Sequence, residues 1–112
     1  MLKKNVLRKN KDFSLIYKKG KSVGDRFVVL FYKPNGLTYN RTGFLASKKV
    51  GNSVKRNRAK RLMKESYRKI EGNLPVGYDF IIIARNTING KKCAEVEKSL
   101  HSAFKRTGVR KK

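Results

Sequence analysis

The chain has 112 residues, enough for one domain, and sets thirty Lys and Arg against seven Asp and Glu for a formal net charge of +23. An apolar share of 38%, with six Phe and five Tyr, supports a modest core and argues against disorder throughout. The single Cys93 excludes a disulfide framework and a cysteine-rich metal site, and the longest apolar runs, Phe27 to Tyr32 and Phe80 to Ala84, fall far short of the ~20 residues that span a bilayer.

In chain order, Lys11 to Lys19 reads as a short helix with Phe13, Ile16 and Tyr17 on its apolar face, Asn10 as N-cap and Gly20 as stop. A short strand is expected around Lys21 to Val23. Arg26 to Lys33 (RFVVLFYK) has the β-branched and aromatic pattern of a buried strand. Pro34-Asn35-Gly36 is turn chemistry, so Thr42 to Lys49 is predicted to return beside that strand as the second arm of a long hairpin. Asn52 or Ser53 then caps a helix running to about Glu71, with Gly72 as its terminator.

Tyr78 to Arg85 (YDFIIIAR) is the most apolar strand and is expected at the centre of its sheet. A last helix spans about Gly90 to Arg106, with Val96, Leu100 and Phe104 on one stripe and Gly108 at its end. These three, with Phe27 and Phe80, are assigned to the core. The predicted fold is an α/β (α+β) two-layer sandwich, a small mixed sheet of three to four strands with three helices in the order α-β-β-(β)-α-β-α. One domain is expected over 1–112, with 1–9 and 107–112 as mobile basic ends. The basic N-terminus has no apolar h-region, so a cytoplasmic location is expected.

A chain this cationic repels itself when folded, and a polyanion relieves the repulsion. Nucleic acid is therefore the partner that charge favours over acidic membranes and acidic proteins. The cations concentrate in the central helix. At ~100° per residue, Arg56, Asn57, Lys60, Arg61, Lys64 and Arg68 share one arc, with Ala59, Leu62, Met63, Ser66 and Ile70 opposite. Like charges three and four residues apart each cost roughly 0.2–0.5 kcal/mol, so this face is unfavourable until phosphates reach it.

At this helix the sequence KKVGNSVKRNRAKRLMKESYR, Lys48 to Arg68, resembles the signature of the protein subunit of bacterial ribonuclease P. The hallmark is Arg56-Asn57-Arg58, with Lys48-Lys49, Gly51-Asn52 and Lys60-Arg61 at the family's spacing. Lys11-Asp12-Phe13 with Tyr17 resembles the family's first helix, and Asp79 to Arg85 its central strand. Two departures are small: Ser53 stands where Ala is frequent, and Tyr17, still aromatic, where Phe is common.

The resemblance implies a ribonucleoprotein endoribonuclease that removes the 5′ leader from precursor tRNA. By the same resemblance the RNA subunit is the catalyst and uses magnesium ions (Mg2+), and the fold contains a left-handed β-α-β crossover. Lys48, Lys49, Asn52, Arg56, Asn57, Arg58, Lys60, Arg61, Lys64 and Arg68 would bind the ribonuclease P RNA. Phe13, Tyr17, Val29 and Phe31 would line a cleft for the single-stranded leader. Neither a membrane partner nor a small-molecule substrate is expected.

The residue chemistry agrees with an RNA-held reaction. A metal-dependent protein nuclease needs clustered carboxylates, and Asp12, Asp25, Glu65, Glu71, Asp79, Glu95 and Glu97 are spread over different elements. His101, the only histidine, cannot serve as both acid and base. Cys93 lacks a second Cys or a suitable His. The main rival is a ribosomal or other structural RNA-binding protein, equal in charge but with no reason to carry an aromatic first helix beside an Arg-Asn-Arg helix.

Overall fold

The computed structural model describes residues 3–109. Three helices, α1 (Asn10–Lys19), α2 (Ser53–Ile70) and α3 (Cys93–Thr107), accompany strands β1 (Lys21–Gly24), β2 (Val28–Pro34), β3 (Arg41–Leu45) and β4 (Tyr78–Ala84). The strands form one mixed sheet in the order β1-β2-β4-β3. No helix among the described residues is long and apolar enough to cross a membrane.

β4 takes the centre because both of its faces are apolar. Phe80, Ile81, Ile82 and Ala84 are all buried, so the strand needs a neighbour on each edge and a layer on each side. β2 runs antiparallel to it from Val28↔Ala84 to Pro34↔Tyr78, and β3 runs parallel to it from Arg41↔Asp79 to Leu45↔Ile83. This corrects the predicted long hairpin. β3 does reverse direction after the 34–36 turn, but β4 inserts between it and β2. A direct β2–β3 pair would leave β4 on an exposed apolar edge, a template for aggregation.

α2 and α3 pack on one face, forming the main core with Val28, Leu30, Phe80 and Ile82 from the sheet and Met63, Tyr67, Val96, Leu100 and Phe104 from the helices. Each fully buried large side chain contributes about 1.5–3 kcal/mol, and Phe104 meets Phe80 edge-on with ring centroids 4.9 Å apart. Phe27 lies half-buried at the rim of this core rather than within it. α1 crosses the reverse face over a smaller cluster of Leu7, Ile16 and Ile81.

Local boundaries shift for identifiable reasons. Asn10 lies inside α1, and Lys9 occupies the N-cap position without a side-chain bond. Gly20 stops α1 through close approach: a Cβ there would lie 2.5 Å from the Ile16 carbonyl oxygen and 2.9 Å from that of Tyr32. Gly72 does not terminate α2, which continues into a 3₁₀ turn, Glu71–Asn73. Nor are the described residues of the 1–9 segment a free end. Lys3–Asn5 form a 3₁₀ turn, Val6 bridges Thr42 beside β3, and Leu7 is buried. Thr107 completes α3, and residues 110–112 of the predicted tail, like 1–2, lie outside the described residues.

Candidate nucleic-acid interface

Asn52 starts α2, its side-chain oxygen accepting from the Lys55 N–H at 3.1 Å. Ala59, Met63, Ser66, Tyr67 and Ile70 are buried, while Asn57, Arg61, Lys64 and Arg68 are exposed. Tyr67, which the sequence left unassigned, turns inward between the positions of Arg56 and Lys60. Those two are accordingly half-buried flanks of the cationic face rather than its centre. Burial pushes the Tyr67 phenol up to about 12, although its oxygen accepts a hydrogen bond from Thr42 Oγ1 at 3.0 Å.

Arg58 departs from its neighbours. Its guanidinium donates to the Lys91 carbonyl at 2.7 Å, bracing α2 against the approach to α3. Lys48 and Lys49 stand exposed on the turn before α2, which is anchored by buried Val50 and by Asn89 Nδ2 donating to the Val50 carbonyl at 2.7 Å. The first turn of α2 contains no acid, so the helix dipole adds to the positive charge at this end.

The reverse face of the sheet has different chemistry. Tyr17 stands edge-on to Phe31, centroids 5.0 Å apart and planes at 84°, and is 42% exposed. Partial burial raises its phenol pKa. Phe13 is half-buried and lies over Gly43, where a Cβ would sit 2.8 Å from the ring. Only glycine admits that contact. Beyond Tyr17 the register aligns Val29, Ile83 and Leu45 in one row across three strands, all half-buried.

The four leader residues expected from the sequence therefore share one face, and Ile83 and Leu45 complete its floor. Sequence reading missed Ile83 because β4, apolar throughout, shows no alternation that would tell one face from the other, and Leu45 because its strand pairs with β4 rather than with the predicted partner β2. After Leu45 the chain leaves the sheet toward the Lys48–Lys49 turn and α2. A groove of about 680 Å³ at the β3 edge is lined by Phe13 and Leu45 from the aromatic side and by Lys64 and Arg68 from α2, with Glu65 and Glu71 beside those two cations.

The carboxylates serve the fold. Asp12 and Asp79 pair with Arg41, Glu65 with Arg68, Glu97 with Lys69 and Asp25 with Arg106, while Glu95 accepts the Lys92 N–H at the start of α3. Burial alone would raise the Asp25 carboxyl, but hydrogen bonds from Ser99, the Arg26 N–H and Arg106 outweigh it and hold the group at about 2. His101 is exposed on α3, and Cys93 opens that helix with its Sγ 3.8 Å from Ser66 Oγ.

The ribonuclease P family model matches residues 1–108. A ribonuclease P protein component from Clostridium botulinum is 45% identical over 109 residues, covering 96% of this chain and 98% of the relative. One from Clostridium acetobutylicum is 46% identical over 110 residues, covering 96% and 92%. The solved RNase P protein of Staphylococcus aureus superposes with a TM-score of 0.85 at 34% identity, covering 95% of this chain and 97% of that one. That of Thermotoga maritima superposes with a TM-score of 0.81 at 33% identity, covering 89% and 94%. Matched over nearly its full length in sequence and in fold, the chain belongs to the ribonuclease P protein family.

Proposed function

We propose that the chain is the protein subunit of a ribonucleoprotein endoribonuclease, ribonuclease P, and that it works in the cytoplasm by holding RNA while the RNA subunit carries the chemistry. In this reading the catalytic RNA lies against Lys48, Lys49, Asn52, Arg56, Asn57, Lys60, Arg61, Lys64 and Arg68, with Arg58 bracing the helix from behind. Phe13, Tyr17, Val29 and Phe31, with Ile83 and Leu45 as floor, take the single-stranded 5′ leader of precursor tRNA. Stacking on aromatic faces beside a cationic track binds single strands with little sequence preference, which suits leaders of varied sequence.

Magnesium ions held by the RNA subunit would supply water activation and stabilisation of the leaving oxygen. This chain's carboxylates fit a resident metal pair poorly, because six of the seven are engaged in the ion pairs and the helix-start contact already described. The protein's own contribution is orientation, raising the population of precursor whose leader is already aligned.

The observation that carries the reading is the aromatic cleft on one face of the sheet next to a helix whose exposed face carries Asn57, Arg61, Lys64 and Arg68 and whose first turn has no acid. The test is binding by the reconstituted complex. Tyr17→Ala should weaken precursor tRNA by roughly 1–3 kcal/mol, the value of a lost stack, and leave mature tRNA nearly unchanged. Trimming the leader to one or two nucleotides should abolish the difference. Equal losses on precursor and mature tRNA would overturn the leader assignment.

A further inference from the structure

α1 carries the aromatic wall of the cleft but has few anchors of its own. Of its ten residues only Ile16 is buried, and its N-cap position makes no side-chain hydrogen bond. A helix this short is marginal in isolation. At its C-terminal end the close contact of Gly20 with the Tyr32 carbonyl fixes its distance from the sheet. At its N-terminal end the polar link is Asp12, whose Oδ2 lies 3.5 Å from Nη1 of Arg41 on β3.

Arg41 is itself held in one orientation. Its Nε donates to Asp79 Oδ1 at 2.8 Å and its Nη2 to Asp79 Oδ2 at 2.7 Å, a bidentate pair with a carboxylate that is 3% exposed. Asn35 Nδ2 donates to the same Oδ1 at 2.9 Å, tying in the loop before β3. The planar fork that satisfies Asp79 leaves Nη1 directed at α1. One guanidinium thus joins β4, β3 and the first turn of α1.

We infer that Arg41 is a positioning residue for leader binding: clamped by Asp79, it fixes the N-terminal end of α1 through Asp12 and so sets how Phe13 and Tyr17 stand over the cleft floor. The inference rests on the leader-cleft reading above. The Leu7 N–H donates to the Thr42 carbonyl just before α1 and Phe13 packs on Gly43, so without the Asp12 link the first turn of α1 keeps only an apolar seat on which it can tilt, and the leader must immobilise it on binding. That ordering cost appears as lost affinity for precursor tRNA. Asp12 and Arg41 are each about a quarter exposed, so the link affects geometry more than stability.

The test compares Asp12→Asn, Asp12→Glu and Tyr17→Ala in the complex reconstituted with its RNA subunit. Asp12→Asn should weaken precursor tRNA roughly 2–5-fold, the range of a partly exposed ion pair, without affecting mature tRNA or a one-nucleotide leader. Asp12→Glu should restore most of the loss. Hydrogen exchange should quicken in α1 of Asp12→Asn and stay unchanged in α2 and β4. If Tyr17→Ala weakens precursor binding while Asp12→Asn does not, the positioning role falls and the cleft stands. If Tyr17→Ala is also silent, the cleft reading falls and takes this inference with it. Loss of cooperative melting in Asp12→Asn would make the link part of the core and would equally overturn the inference.

Discussion

The cationic face of α2 and the inward-turned Arg58 make opposite predictions, which one salt series can separate. Arg61 and Lys64 project from the cationic face and Lys60 flanks it, and no acid salt-bridges any of them among the described residues. If each meets one phosphate, changing all three to Gln should flatten the slope of log affinity against log salt by roughly 2–2.7, at 0.7–0.9 per contact. The fold should not suffer. The change removes the repulsions Arg56–Lys60, Lys60–Lys64, Arg61–Lys64 and Lys64–Arg68, each roughly 0.2–0.5 kcal/mol, and loses only the weak attraction of Arg61 to Glu65. The melting temperature should therefore hold or rise. Arg58→Gln should do the reverse. It breaks a 2.7 Å charged hydrogen bond to the Lys91 carbonyl, costing about 1.5–3 kcal/mol of stability and leaving the salt slope unchanged. The assay is equilibrium binding to the RNA subunit across a salt titration, with thermal melts of each free protein. An unchanged slope in the triple variant, or a flattened slope with wild-type stability in Arg58→Gln, would refute the division of this helix into a bound face and a bracing face.

Two further predictions follow from packing and from charge. Gly43→Ala should push Phe13 off the sheet, since the new Cβ would sit 2.8 Å from its ring; melts should show a loss of about 1–3 kcal/mol from overpacking, and precursor affinity should fall with it. Asp25 is held at about 2 against an ordinary 3.8, so its share of stability is complete above about pH 4 and is lost as pH falls toward 2; Asp25→Asn should be less stable than wild type at neutral pH, with the gap closing across that window in pH-dependent unfolding. A gap independent of pH would assign the effect to shape rather than charge.

Local periodicity makes much of this protein legible. The four-residue spacing of Val96, Leu100 and Phe104 marked the inner stripe of α3, and the continuous apolar run of β4 announced a central strand. The Asn52 cap and the cationic stretch of α2 stood at the predicted positions, because caps and helix faces depend on residues within one or two turns. What required the tertiary structure was pairing at a distance. β3 joined β4 rather than β2 because a strand apolar on both faces must be flanked on both edges, a demand made by residues 79–83 on residues 38 positions earlier. The same limit hid the floor residues Ile83 and Leu45, the inward turn of Tyr67, the retreat of Arg58 to Lys91 and the Asp12–Arg41–Asp79 link. Each depends on which groups from different elements come within a few ångströms, and side-chain spacing along one element carries no record of its neighbours.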